Sequence, residues 1–168
     1  MESLIFLVHK QDGLIKASVC ANGSTQREYI SKEDATSPTV STEAVMVTGV
    51  IESKQGRDIL MANIPNAFVQ TNIKNEKGQD RITMKIKGPL IHILVEIIPE
   101  TYTNYITEEN VQRLLYIMMQ KALYGMLVST VLFYKELIKD REGIGFKINP
   151  CNVCVANRTI QRTQHTVV

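Results

Sequence analysis

Two hydrophobic spacings divide this chain. Residues 3–10, Ser-Leu-Ile-Phe-Leu-Val-His-Lys, are rich in strand formers, and so are residues 14–20, Leu-Ile-Lys-Ala-Ser-Val-Cys. Gln11-Asp12-Gly13 lies between them, and an Asp-Gly pair flanked by such runs predicts a β-hairpin. Asn22 to Pro38 is polar and turn-forming and reads as loop. Ser41 to Glu52 opens with hydroxyl residues able to cap a helix and continues with apolar residues on one face. It is predicted helical, although its β-branched content pulls the other way.

Ile59 to Ile64 reads as a short strand stopped by Pro65, with a helical turn over Asn66 to Gln70. The polar run Thr71 to Asp80 reads as loop. Arg81 to Lys87 alternates with a period of two, as a half-exposed strand does. Leu90 to Ile98 is apolar throughout and fits either helix or strand. Pro99 to Asn110 reads as a polar connection, Val111 to Met119 as a strand, and Gln120 to about Glu142 as a long helix ended by Gly143 and Gly145. Three further strands are predicted at 145–149, 153–160 and 165–168. Strands and helices alternate without a βαβ rhythm, so the fold class is mixed α+β. A run still strand-like at Val168 suggests a chain cut inside a sheet.

Composition narrows the class without naming a function. A chain of 168 residues with 44% hydrophobic content can bury a core. Nineteen Lys and Arg against seventeen Asp and Glu leave a formal charge of +2, so affinity for nucleic acid would need local clustering of positive charge. Three cysteines and no leader-like segment point to a reducing intracellular compartment, cytoplasmic or nuclear. The sequons at Asn22 and Asn157 then carry no sugar. Leu114 to Tyr134 is apolar enough to raise a membrane span, but Gln120 and Lys121 interrupt it and Gly125 to Tyr134 is too short to cross; a buried core helix is the expectation, and no membrane partner.

Candidate chemistry is sparse. Cys151-Asn152-Val153-Cys154 has the spacing of half a zinc or redox site, yet the remaining ligands, His165 and the distant Cys20, supply no second pair. An extended Val153-Cys154-Val155 also lacks the helix start that a thioredoxin-type site needs. His9, His92 and His165 lie in strand-like or apolar contexts and form no nucleophile–base arrangement. Neither G-x-x-x-x-G-K-[ST] nor G-x-G-x-x-G occurs. Lys10 and Lys16 flank the first hairpin, where charge could meet a polyphosphate or simply face water. Asn63 is the notable oddity: a polar residue at a predicted strand tip, of a type that offers a hard cation no charge.

Four separated segments then carry a resemblance. Ser37-Pro38-Thr39-Val40-Ser41-Thr42-Glu43-Ala44-Val45, Gly56-Arg57-Asp58 followed by Ile64-Pro65-Asn66-Ala67-Phe68, Lys121-Ala122-Leu123-Tyr124-Gly125, and Cys154-Val155-Ala156-Asn157 resemble, in that order, the reverse transcriptase of copia-type LTR retrotransposons. The resemblance covers nearly the whole chain. It implies fingers with an incomplete palm, built as a mixed or antiparallel sheet with packed helices: a fingers-like hairpin and helix at 1–56, a palm strand and turn at 57–74, a fingers-like insertion at 75–119, and a palm helix and truncated strands at 120–168.

The implied chemistry is RNA-templated DNA synthesis with two magnesium ions, on an RNA template and a DNA primer. The family's first metal-binding aspartate falls at Asn63, and its Asp-Asp pair falls a few residues beyond Val168, so none of the three metal-binding carboxylates is present and no magnesium is expected to bind. By the same resemblance Ile64 offers a backbone carbonyl to the metal, Phe68 abuts the sugar, Tyr124 and Gly125 form the turn where the nucleotide stacks, and Lys16 faces the triphosphate. Read without it, Phe68 and Tyr124 are ordinary core aromatics. Ser18 departs from the family's arginine, and Leu127, Val128 and Val131 replace basic residues. The expectation is a catalytically inactive fragment, with weak primer-template binding or association with an intact reverse transcriptase as the alternative role.

Overall fold

The computed structural model describes residues 1–73 and 81–168. The loop expected over Thr71 to Asp80 therefore lies largely outside the described residues, as does the boundary expected at 74–75.

The fold is mixed α+β, with two separate sheets. Strand β1 (Glu2–His9) pairs antiparallel with β2 (Ile15–Asn22), as the Asp-Gly turn predicts. Gly13 at φ +80° closes that turn, and the Asp12 carboxylate accepts from Leu14 N–H at 3.1 Å. Strand β3 (Thr83–Lys87) touches β1 in parallel at Glu2↔Lys85 and runs antiparallel to β5 (Gln112–Met118), which pairs with β4 (Ile106–Glu109). The resulting order is β2-β1-β3-β5-β4. The other sheet, β6 (Lys147–Asn149), β7 (Asn152–Ile160) and β8 (Thr163–Val167), is an antiparallel meander.

Helix α2 (Thr42–Lys54) forms where predicted, following a single-turn helix α1 (Lys32–Ala35). The Ser41 hydroxyl caps α2 by accepting from Ala44 N–H at 3.2 Å. Gly56, at φ +63°, ends it: its N–H and that of Arg57 return to the Ser53 and Glu52 carbonyls, the paired bonds of a Schellman stop. Arg57 also grips both Glu52 oxygens at 3.0 and 3.1 Å. No residue of α2 is buried, and Val45, Met46 and Val50 all face outward.

Several expectations are corrected. Ile59 to Ile64 forms no strand: residues 57–64 have no regular structure and, among the described residues, no ladder partner, and a strand without one has nowhere to place its backbone hydrogen bonds. Asn63 is thus on an irregular, exposed segment and not at a strand tip. The polar stretch 99–110 is structured, as helix α5 (Pro99–Tyr102), a 3-10 turn at Thr103–Tyr105, and β4. Part of the loop over Asn22 to Pro38 is also regular, as a 3-10 turn at Gly23–Glu28 and then α1. The apolar run at 90–98 resolves to helix α4 (Pro89–Ile97), with proline in its first turn where the missing N–H costs nothing.

The long helix expected from Gln120 begins only at Ser129, as α6 (Ser129–Gly143). Residues 120–128 instead thread between other segments. Asn72 and Lys121 form an isolated bridge, Ile73 N–H donates to the Gln120 carbonyl, and Ala122 N–H to the Thr71 carbonyl, each at 2.9 Å. Leu114 to Tyr134 is therefore strand, connection and helix in turn, not one buried helix. Among the described residues no helix is long and apolar enough to cross a membrane.

Two apolar clusters hold the molecule. Met84, Ile86 and Leu115 of the sheet bury against Ile91 of α4. Ala21, Ile73 and Met126 form the second, where β2, the bridge segment and the 120–128 connection converge. Burying a Leu, Ile or Met side chain in these clusters contributes roughly 1.5–3 kcal/mol.

Candidate functional site

The second cluster positions the residues that the resemblance singles out. Short helix α3 (Ala67–Gln70) starts at Asn66, whose φ of +52° is a left-handed conformation that asparagine tolerates better than most residues. Gln70 steadies the turn by donating its side-chain N–H to the Pro65 carbonyl at 2.7 Å. This turn delivers Phe68 against Tyr124, with ring centroids 4.7 Å apart and planes inclined at 59°. Phe133 of α6 meets Phe68 edge-on, with centroids 6.0 Å apart. Three aromatics from three elements thus come together around Phe68.

Tyr124 and Gly125 are fixed by the end of β2. Ala21 N–H donates to the Tyr124 carbonyl at 2.7 Å. Gly125 has φ +88°, and a Cβ there would overlap the Ala21 carbonyl, so both its conformation and its closeness require glycine. Gly23 faces it: a Cβ on Gly23 would strike the Gly125 carbonyl. One turn on, buried Gln26 accepts from Leu127 N–H at 2.9 Å through Oε1, and the Ser129 hydroxyl donates to the Leu123 carbonyl at 2.7 Å. Gln26 Nε2 has no partner among the described residues.

The remaining predicted residues do not join this arrangement. Asn63 and Ile64 lie on the exposed segment, and Asn63 makes no hydrogen bond among the described residues. Lys16 is exposed near the tip of the β1–β2 hairpin, paired across to Val8. It stands five residues from Ala21, or about 17 Å along the strand at ~3.3 Å per residue. Lys121, by contrast, donates from Nζ to the Gln70 carbonyl at 3.3 Å and ties α3 to the Tyr124 connection.

The donor set at positions 63 and 64 is one amide and one carbonyl. It carries no formal charge, so it does not fit a two-magnesium centre, which is built on carboxylates. Among the described residues no group of three or more His, Cys, Asp or Glu could hold a metal ion. The Cys151/Cys154 pair belongs to a turn and the start of β7: each cysteine N–H donates to an asparagine side chain two residues earlier, at 2.8 Å from Asn149 and 3.0 Å from Asn152.

Gln26 and Phe133 went unnoticed in the sequence. Gln26 sits in a polar run indistinguishable from surface loop, and Phe133 lies among other apolar residues of α6. Only the tertiary fold separates them from their neighbours.

Comparisons with protein-family models, with curated proteins and with solved structures return no match for the chain.

Proposed function

We propose that the chain is a piece of a copia-type reverse transcriptase that keeps the framework of the nucleotide pocket and lacks polymerase activity. One observation carries the reading: Phe68 packs on Tyr124, the two aromatics that the resemblance assigns to the sugar and base of an incoming nucleotide. Gly125 supports it, being a glycine that the local backbone cannot replace. Inactivity rests on Asn63, because exchanging a carboxylate for an amide removes charge from a site that must hold divalent cations. A loss on the order of a thousandfold or more in rate is the expected scale.

Titration of a deoxynucleoside triphosphate with magnesium, followed by the ring resonances of Phe68 and Tyr124, tests the reading. Asn63→Asp is expected to bind the magnesium complex about tenfold more tightly than the native chain, since a charge-assisted contact contributes roughly 1.5 kcal/mol or more. Equal affinity, or binding that leaves both rings unmoved, contradicts it.

A second reading, an interaction module that associates with an intact reverse transcriptase, is favoured by one feature. Leu60 and Met61 are each 91% exposed on an irregular segment with no ladder partner among the described residues, and contiguous exposed apolar surface marks contact sites. Co-purification with the intact enzyme, reduced by Leu60→Asp, is the expected result; unchanged recovery of that variant removes this role.

A further inference from the structure

The β6–β7–β8 sheet carries a groove of about 690 Å³ lined largely by polar residues. Lys147 and Arg158 line it with Asn149, Asn157, Thr159 and Gln164. On the larger sheet Lys85 pairs with Glu109, Lys87 with Glu2 and Arg113 with Glu108, while Lys16 has no ion pair among the described residues. On the smaller sheet no basic residue is so paired. Residues 144–168 contain Lys147, Arg158 and Arg162 and no Asp or Glu, and among the described residues none of the three enters an ion pair. Glu142, the nearest carboxylate in sequence, does not line the groove.

The amides add to this polarity. Asn149 accepts from Cys151 N–H at 2.8 Å, and because a backbone N–H can only donate, the contacting atom is the amide oxygen. Asn157 accepts from both Gln164 Nε2 and the Thr166 hydroxyl at 2.9 Å. Both asparagines thus have their oxygens engaged within the protein and keep their NH2 groups as donors. The register of β7 places Asn157, Thr159, Lys147 and Gln164 on one face of the sheet and Arg158 on the other, so the groove's polar side chains on that face are one cation, the donor amide of Asn157, the Gln164 amide and the Thr159 hydroxyl, with Asn149 beside them. Such a set complements an oxyanion bearing several acceptor oxygens and little else. The groove has no aromatic wall, so it offers nothing for a base to stack on.

From the unneutralised Lys147 beside the donor amides of Asn149 and Asn157, we infer that this groove is a binding site for a phosphate group, held as a free phosphate or as part of a phosphodiester strand. It shares no residue with the Phe68–Tyr124 arrangement and does not depend on the polymerase reading.

The test is a titration of the full chain with inorganic phosphate and, separately, with a single-stranded oligonucleotide, reading the side-chain NH2 resonances of Asn149 and Asn157. Lys147→Ala removes a cation from an exposed position. Asn149→Asp keeps the oxygen that holds the Cys151 turn while replacing the donor with a negative charge. Each is expected to weaken binding about tenfold, whereas Lys54→Ala, at the end of α2 and outside the groove lining, leaves it unchanged. Tighter binding of the oligonucleotide than of phosphate assigns the site to a phosphodiester backbone, and equal or weaker binding to a free phosphate group. No binding of either probe, or binding that Lys147→Ala and Asn149→Asp leave intact, overturns the inference.

Discussion

Phe68 and Tyr124, far apart in the sequence, meet with ring centroids 4.7 Å apart at 59°. Tilted pairs of this kind add about 0.5–1.5 kcal/mol beyond simple burial. A double-mutant cycle with Phe68→Leu and Tyr124→Leu, read by urea denaturation, is expected to give a coupling energy in that range. Additive single effects would mean that the rings are not in contact.

Gly125 is the least replaceable residue of this neighbourhood. Alanine there would need both a left-handed backbone and room that the Ala21 carbonyl occupies. Gly125→Ala should therefore destabilise the fold by more than about 2 kcal/mol. Gly49, whose Cβ position is open, supplies the control. Gly49→Ala is expected to stabilise helix α2 by up to about 1 kcal/mol.

The β4–β5 turn stores strain that can be released. Asn110 at φ +48° and Val111 at φ +65° make a turn with both central residues left-handed, and Val111 is fully exposed. A β-branched residue in that conformation gains nothing from packing to offset its cost. Val111→Gly is expected to raise stability by about 1 kcal/mol, visible as a higher urea midpoint at unchanged slope.

Acid should weaken the same hairpin. Lys85 Nζ and the Tyr116 hydroxyl donate to the two oxygens of Glu109 at 3.1 and 2.9 Å, and these bonds, Lys85 first, hold the Glu109 carboxyl below the ordinary glutamate value. A carboxyl with a lowered folded-state pKa stabilises the fold above its unfolded value and loses that contribution as pH falls through the folded one. Lys85 is shifted upward by Glu109, so its own contribution persists until strongly alkaline pH. Replacing Glu109 by Gln should flatten the acid limb of a stability–pH profile and leave the neutral region nearly unchanged in slope.

What the sequence made readable depended on how local each signal was. The β1–β2 hairpin was legible because Asp12-Gly13 fixes the turn and both strands flank it directly. Helix α2 was legible from the capping hydroxyls at Ser41 and Thr42 and the apolar residues that follow them, whereas its stop at Gly56 came from the structure. Ile59 to Ile64 misled because a strand-forming composition says nothing about whether a partner strand exists. The connection at 120–128 read as helix since Leu123, Met126 and Val128 are apolar, yet their burial serves the junction with Ala21 and Ile73. The β4–β5 turn was hidden by Val111, a residue type that argues against the conformation it adopts.

The candidate site divides in the same way. Tyr124-Gly125 and Phe68 stood out through resemblance, and the fold brings the two aromatics together. Lys16 and Asn63 stood out equally and remain on exposed segments apart from that cluster. The donor amides of Asn149 and Asn157 left no trace in the sequence, because what matters is which of their atoms the protein has already engaged.

The most direct measurement is primer extension by the purified chain on an RNA template, with magnesium and all four deoxynucleoside triphosphates, beside an active reverse transcriptase as control. No added nucleotide is the predicted result, because Asn63 brings no charge to a metal centre. Magnesium-dependent extension by the unaltered chain would contradict the account.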